Sequence, residues 1–335
     1  MRAVSTPSAF PEALAPPAGR GSPTLERALA ARVRGRIAGP ADAIQVLLGL
    51  LWLLDGLLQL QPDMFTSRFA REVILPAAQG QPGFIAWPIH QAARVILEAP
   101  GPINAVAGLV QIGIGVGLMV RRSVRLAIAA SLLWSLNVWI LGEGIGGLAG
   151  GSGMLLTGAP GAVLLYAVLA AAVWPERDRP ARWLNEAWVA LWVGGAILQT
   201  LPGQASNGAI RAAISANAGS APGWLRSIDN TLLSALPKGG QSIVIVLVVL
   251  QLAIGLSVLA PRPYRTCGIA LGIVFALIAW IVGESLGTYW TGLATDPNSG
   301  PLIALMGFGL VVIAPCSAFT ASPPAPRARP GRRRP

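Results

Sequence analysis

The sequence predicts an all-α, polytopic integral membrane protein with eight transmembrane helices as two parallel four-helix repeats. Three observations support this fold class. First, the 335 residues are 53% hydrophobic and only 12% charged, whereas soluble domains carry about 25% charged residues. Second, the apolar residues gather into blocks close to the length of about 20 residues that crosses a hydrocarbon core. Third, much of the first half of the sequence recurs in the second half.

Each apolar block is expected to form one helix. The fourth and eighth blocks are the shortest. In chain order the blocks are 44–61, 103–120, 124–142, 160–174, 183–201, 242–260, 265–283 and 301–315.

The basic residues follow the connections that a multi-pass chain keeps in the cytoplasm. Nineteen of the 25 Lys and Arg residues lie in the two terminal segments and in the short joins between helices. This distribution predicts a protein of the cytoplasmic (plasma) membrane with both termini in the cytoplasm. The predicted organisation is a disordered basic tail (1–40), a first repeat (41–175), a linker (176–182), a second repeat (183–316) and a second basic tail (317–335).

The net charge of +11 raises the alternative of nucleic-acid binding. Because the charge is concentrated at helix ends and in the tails, topology and contact with anionic lipid explain it better. The expected partner is therefore the lipid bilayer and not nucleic acid.

The internal repeat appears at an offset of 140 residues. Trp52, Gln59 and Pro62 align with Trp192, Gln199 and Pro202. Four helices in each half return the chain to its starting side, so the repeats should be parallel, with a pseudo-two-fold axis along the membrane normal. The long connections 63–102 and 203–241 have apolar residues at helical spacing, which predicts amphipathic helices at the interface.

A Trp-x-x-Gly-Glu element ends the third and the seventh helix, at Trp139 to Glu143 and at Trp280 to Glu284. A carboxylate at a helix carboxyl terminus is unfavourable for the helix dipole, so a compensating partner is expected. Arg71 and Arg211, which align with each other in the repeat, are the predicted ion-pair partners. Two interpretations stay open: a structural ion pair, or a site for a ligand, an ion or a proton.

Other polar residues lie within the predicted spans. The glutamines should face the bundle interior, because an amide in lipid needs a partner, and we interpret them mainly as packing contacts between helices. Asp55 is a functional candidate because ionisable groups are rare in membrane helices, and a neutral, hydrogen-bonded acid is the alternative. The predicted pocket comprises Glu143, Glu284, Asp55, Gln59, Gln199, Gln111, Gln251, Trp139 and Trp280.

The sequence offers no catalytic set and no metal site. Its single histidine and two cysteines exclude a bis-histidine haem, a zinc cluster and an iron–sulfur cluster. The loop at Asp296 and Asn298 could bind a hard cation, but Asp-Pro-Asn-Ser-Gly is also an ordinary turn sequence, and we interpret it as a turn. No cofactor is predicted with certainty.

The first helix, LLGLLWLLDGLLQLQP, resembles the opening helix of DoxX-like and DoxD-like membrane proteins, which are four-helix units. The segment INAVAGLVQIGIGVGLMVRRSVRLAIAASLL is similar to that family's second and third helices, with Gln111 and Gln251 standing where an acid is common. The resemblance implies a tandem fusion of two units and an association with quinone-linked or thiol-linked redox systems. Gln59 replaces a basic residue of the family pattern, and the Trp-x-x-Gly-Glu element is not part of it.

Three functional hypotheses follow. In the first, the two repeats enclose an outward-facing polar pocket that binds or translocates a small solute, an ion or a proton. In the second, the protein is a non-catalytic accessory subunit of a redox system, with a quinone, a membrane redox partner or a second copy of the chain bound to it. In the third, it is a structural protein of the envelope without a ligand.

Overall fold

The computed structural model describes residues 39–175, 181–216 and 218–314, which belong to one structural unit beginning at Gly39. In these ranges all regular structure is helical, and no strand occurs. The predicted tails and most of the predicted linker lie outside the described residues.

Eleven α-helices are present in the described ranges. They are α1 (Pro40–Leu58), α2 (Gly83–Glu98), α3 (Pro100–Met119), α4 (Val124–Leu141), α5 (Ala162–Ala172), α6 (Trp183–Gln199), α7 (Asn207–Ala216), α8 (Gly223–Ala235), α9 (Ser242–Leu256), α10 (Tyr264–Val282) and α11 (Ser299–Val312).

Within the part of the chain that the structure describes, four helices are long and apolar enough to cross a membrane. They are Ala41–Leu58, Pro100–Met119, Val124–Leu141 and a segment that extends α10 to Thr291. The helices α5, α9 and α11 are apolar but shorter. The chain therefore has the composition and helix lengths of a membrane protein.

Proline and glycine mark several helix ends. Pro40 and Pro100 lie in the first turns of α1 and α3, where the missing N–H group is not needed for the helix. Gly142 and Gly283 directly follow α4 and α10. Each of these two glycines is followed directly by a candidate glutamate. Both glutamates therefore lie just beyond the carboxyl end of a helix.

Close packing of α1 against α3 depends on glycine. A Cβ atom added to Gly115 would lie 2.8 Å from the carbonyl oxygen of Gly49 and 2.9 Å from the nitrogen of Leu53. Such distances leave no room for a side chain, and small residues of this kind let membrane helices approach closely. The positions of the polar residues of α1 are therefore fixed relative to α3.

The helices pack in pairs. α1 packs on α3 and α6 on α9, while α4 packs on α5 and α10 on α11. The short helices α5 and α11 also contact each other, and both contact α1 and α6. One apolar cluster extends through this centre, and it includes an aromatic contact of 4.5 Å between the rings of Trp52 and Tyr166.

The two long connections form helices with one apolar buried face. In α2, Ile85, Ile89 and Ala93 are buried, whereas Phe84 and Trp87 on other faces are exposed. The second connection forms α7 and α8, and it packs against α9 and α10. In the first connection, turns of 3₁₀ and π geometry between Pro62 and Ala78 precede α2.

Candidate functional site

A cavity of about 370 Å³ lies among α1, α3, α4 and the first long connection. Four of the predicted site residues line it: Asp55 and Gln59 from α1, Gln111 from α3, and Glu143 from the end of α4. We call it the acidic cavity. The remaining lining residues are Trp52, Phe69, Val73, Ile74, Ala92, Val95, Ile96, Ile103, Ala107, Trp134, Asn137, Val138, Leu141, Gly142, Val163, Thr295 and Asp296.

The spacing of residues on α1 explains two of these positions. Asp55 and Gln59 are four residues apart and thus lie on one face of the helix. Gly56, between them, packs against Ile112 and Gly108 of α3, which brings Gln111 to the same cavity. Asn104 of α3 donates a hydrogen bond of 2.6 Å to the carbonyl oxygen of Gln59. This carbonyl group at the carboxyl end of α1 therefore has a hydrogen-bond partner.

Several polar atoms around the acidic cavity lack a hydrogen-bond partner. The side chains of Asp55, Gln59 and Gln111 are 1%, 4% and 6% exposed. Each has a buried oxygen without a partner, and so does the carboxylate of Glu143. Unsatisfied buried oxygens are rare in folded proteins because each loses its hydration without compensation. Four such oxygens therefore belong to residues that line this one cavity.

Glu143 bridges two helices. It follows α4, and its carboxylate accepts a hydrogen bond of 3.2 Å from the backbone N–H of Val163 in the first turn of α5. The pKa of Glu143 is raised to about 8, mainly by burial and then by the nearby charge of Asp296, while the backbone N–H groups of Val163 and Ala162 oppose the rise. The amino terminus of α5 thus supplies the favourable dipole that the carboxyl end of α4 lacks.

Glu284 has a similar position but fuller hydrogen bonding. Its carboxylate accepts hydrogen bonds from the backbone N–H of Ser299 at 2.8 Å and of Gly300 at 3.4 Å, and from the Ser299 hydroxyl. These donors form the first turn of α11, just as Val163 belongs to the first turn of α5. Each glutamate therefore joins the end of one helix to the start of the next.

The two tryptophans of the same elements are structural. The indole N–H of Trp139 donates to the carbonyl oxygen of Pro160 at 2.7 Å, and that of Trp280 donates to Pro297 at 2.6 Å. Pro160 lies just before the start of α5, and Pro297 lies just before the start of α11. Neither tryptophan lines the acidic cavity.

The expected ion pairs with arginine do not form. In the described part of the chain no salt bridge joins Glu143 or Glu284 to Arg71 or Arg211. Arg211 instead donates to the carbonyl oxygens of Leu233 and Leu236 at the end of α8, and Arg71 is exposed. The prediction was wrong because backbone N–H groups at helix amino termini bind these carboxylates. The sequence gives no sign that those helix starts lie close to the two acids.

The expected shared pocket between the halves also differs from the structure. Glu284, Gln199 and Gln251 do not line the acidic cavity. Gly195 aligns with Asp55 in the repeat, and a Cβ atom added there would lie 3.2 Å from Leu155 and 3.1 Å from the side-chain oxygen of Gln251. Leu155 thus occupies the space beside Gly195.

The glutamines of the second half are enclosed in protein. The Gln199 side chain donates a hydrogen bond of 3.0 Å to the carbonyl oxygen of Gln204. Gln251 is fully buried, with both amide atoms unpartnered. These two residues therefore belong to a packed interior, and they are separate from the residues that face the acidic cavity.

Asp296, which the sequence analysis interpreted as part of an ordinary turn, is a further residue of the site. It lies in the loop before α11 and, with Thr295, lines the acidic cavity from the second half of the chain. Its carboxylate accepts hydrogen bonds of 2.7 Å from the Thr295 hydroxyl and the Asn298 backbone N–H. The second bond closes the kind of turn predicted for this loop. Burial raises the pKa of Asp296, and these two hydrogen bonds oppose the rise.

A second, more open cavity of about 590 Å³ adjoins the first. Val73, Thr295 and Asp296 line both cavities. We call it the Arg68 cavity, because Arg68 lies in its wall and forms ion pairs with Asp63 and Glu72. The shared residues show that the two cavities lie next to each other.

The acids around the cavity are too dispersed for a metal centre. In the three described ranges no group of three or more His, Cys, Asp or Glu side chains could bind a metal ion. The charge of Asp296 nevertheless acts on Glu143 and Glu284.

No family model, curated protein or solved structure matches this chain. The resemblance to DoxX-like proteins accordingly stays a prediction from the quoted helices, and the site is interpreted from its own geometry.

Proposed function

We propose that this protein binds or translocates a small solute, an ion or a proton through the acidic cavity. One observation supports the proposal most strongly: four residues chosen from the sequence as pocket candidates, Asp55, Gln59, Gln111 and Glu143, line one cavity. Buried polar groups that converge on a mostly apolar cavity are typical of ligand sites. Their unpartnered oxygens are a cost in stability that a binding function would explain.

The proposal includes an architecture of eight spanning helices in two parallel repeats, with both termini in the cytoplasm. The packing of α1 on α3 and α4 on α5 has a counterpart in α6 on α9 and α10 on α11. The matching hydrogen bonds of Glu143 and Glu284 to the next helix support the same symmetry. In this arrangement the acidic cavity opens towards the extracytoplasmic side.

Labelling of single cysteines tests the topology. Gly83 and Gly223 begin α2 and α8, align in the repeat, and have open space around them. After removal of the native cysteines, Gly83→Cys and Gly223→Cys should both react with a membrane-impermeant maleimide on intact cells. Reaction of the two positions from opposite sides would rule out parallel repeats.

Filling the acidic cavity tests the function. Ala107 lines the cavity, whereas its neighbour Val106 is 58% exposed on the outer face of α3. We would measure the melting temperature of detergent-purified wild type, Ala107→Trp and Val106→Trp with benzylammonium, benzyl alcohol and benzoate, which represent cationic, neutral and anionic solutes. A solute at about ten times its Kd stabilises the protein by about 1.4 kcal/mol.

We expect at least one solute to stabilise the wild type and Val106→Trp but not Ala107→Trp. Stabilisation that survives in Ala107→Trp would place binding elsewhere, and the absence of stabilisation by any of the three would contradict the proposal.

The mostly apolar lining gives one reason to retain the accessory-subunit alternative. The indole N–H of Trp134, on the cavity wall, has no hydrogen-bond partner and could donate to a quinone carbonyl. Extraction of the purified protein into organic solvent distinguishes the two ideas. Stoichiometric quinone absorbance would support the redox association, and its absence would favour solute binding.

A further inference from the structure

The charge of the acidic cavity is one-sided. Asp55, Glu143 and Asp296 line it, and none of its lining residues in the described ranges is Lys, Arg or His. Three acids around one enclosed space repel one another and are costly to desolvate. A positively charged group in the cavity would lower both costs.

Hydrogen-bonding capacity in the cavity is one-sided as well. The unpartnered buried atoms of its wall include oxygens of Asp55, Gln59, Gln111 and Glu143, whereas the only unpartnered donor among its lining residues is the Trp134 indole N–H. Rotating the glutamine amides would exchange oxygen for nitrogen at two positions only. One oxygen of each of the two carboxylates, which accept hydrogen bonds when ionised, would still lack a donor.

The size and the remaining surface of the cavity restrict the occupant further. Its volume of about 370 Å³ is near the lower end of the range of about 300 to 1,000 Å³ for ligand pockets. Aromatic and aliphatic side chains such as Trp52, Trp134 and Ile96 form much of the wall. This lining suits an apolar body, and aromatic faces also attract organic cations.

We propose that the acidic cavity binds a small monovalent organic ammonium ion, whose N–H groups donate to the acids and whose apolar body packs against the tryptophans. A bare metal ion fits less well, because no metal-binding cluster exists in the described residues. The inference rests on the proposed function, since it names the ligand class of the same cavity. A second observation, independent of the charges, is that Asp55, Gln59 and Gln111 are almost completely buried and each has one side-chain oxygen without a hydrogen-bond partner.

Four probes of similar size test the ligand class. Benzylammonium has the charge and the N–H donors, benzyltrimethylammonium has the charge alone, benzyl alcohol is neutral, and benzoate is an anion. Calorimetry on the full-length, detergent-purified protein would give the Kd of each. Charge-assisted hydrogen bonds contribute about 1.5 to 3 kcal/mol, so we expect benzylammonium to bind at least about tenfold more tightly than each of the other three probes.

Matched variants locate the interaction. Asp55→Asn and Glu143→Gln should each weaken benzylammonium binding about tenfold and leave benzyl alcohol binding unchanged. Glu284→Gln is the control, because its carboxylate is bonded to Ser299 and Gly300 and does not line the cavity. If Asp55→Asn does not fold, Glu143→Gln and the comparison of probes on the wild type still decide the matter.

The outcomes separate this inference from the proposed function. Equal binding of benzyl alcohol, or preference for benzoate, would overturn the ammonium proposal while the cavity remained a solute site. Equal binding of benzyltrimethylammonium would overturn the requirement for N–H donors. Failure of every probe to bind would contradict the proposed function together with the inference.

Discussion

Replacing Glu143 by glutamine should remove a loss of stability that the wild-type protein undergoes as the pH rises towards 8. Burial raises the pKa of Glu143 in the folded protein from 4.5 to about 8. The folded state therefore retains the proton over a range in which the unfolded state has released it. Because the unfolded state binds fewer protons in this range, the free energy of unfolding falls as the pH rises.

The magnitude follows from the two pKa values. Each pKa unit corresponds to about 1.36 kcal/mol, so the step from 4.5 to about 8 gives at most about 5 kcal/mol between pH 4.5 and pH 8. Water in the acidic cavity would solvate the carboxylate and make the loss smaller. Above about pH 8 the folded protein has also released the proton, and the contribution becomes constant.

The assay is the melting temperature of detergent-purified protein across this pH range. At about 2 °C per kcal/mol for a chain of this size, the wild type should lose up to about 10 °C relative to Glu143→Gln. Glu72→Gln is the control for removal of an acid, because Glu72 is exposed and paired with Arg68. That variant should retain the steep pH dependence of the wild type.

Parallel curves for the wild type and Glu143→Gln would refute the reasoning. They would mean that the carboxylate is well solvated or paired in solution, and that neither its burial nor its proximity to Asp296 affects its proton. The neighbouring acids Asp296 and Glu284 remain in both proteins, so the difference between the two curves reports the Glu143 proton together with its electrostatic coupling to these acids.

Other perturbations test separate parts of the structure. Gly115→Ala should destabilise the protein by about 1 to 3 kcal/mol through overpacking, whereas Gly113→Ala on the same helix, with nothing within 4 Å, should not; thermal unfolding measures both. Leu155→Ala should cost about 2 to 5 kcal/mol, because Leu155 is 2% exposed in the apolar centre, and an unchanged melting temperature would contradict its filling role. Benzylammonium affinity should increase with pH up to about 8, since Glu143 must release its proton to bind a cation, and calorimetry at several pH values would detect a flat response.

The positions of Asp55, Gln59, Gln111 and Glu143 could be anticipated from the sequence. Polar residues in apolar helices must face protein, and the four-residue spacing of Asp55 and Gln59 places both on one face of α1. The same reasoning predicted helices in the long connections, which form α2, α7 and α8. These inferences depend on periodicity and local composition, which can be read from the sequence without knowledge of the tertiary structure.

The contribution of Asp296 could not be anticipated in the same way. It approaches the cavity through a loop that is 153 residues beyond Glu143 in the chain, and a turn sequence gives no information about its distant neighbours. The exclusion of Gln251 from the cavity had a similar cause. It depends on Leu155, a residue of the first Gly-rich connection, which occupies the space beside Gly195 in the other half.

The failed prediction for Arg71 and Arg211 has a physical explanation. Charge complementarity in a sequence suggests side-chain pairs, but the first backbone N–H groups of α5 and α11 are also donors, and every helix supplies them. Glu143 and Glu284 each lie within a few residues of a chain reversal that brings such a helix start back. Backbone donors therefore bind both carboxylates where arginines were expected, and one oxygen of Glu143 remains without a partner.

The wall formed by Thr295 and Asp296 has a consequence for biosynthesis. When the ribosome has released only the helices α1 to α5, the cavity of the first half has all its early residues but remains open on one side. It is completed only when the loop before α11, close to the end of the chain, has been inserted. A nascent chain that stops before this loop should therefore be unable to retain a bound ligand, however well its first five helices have folded.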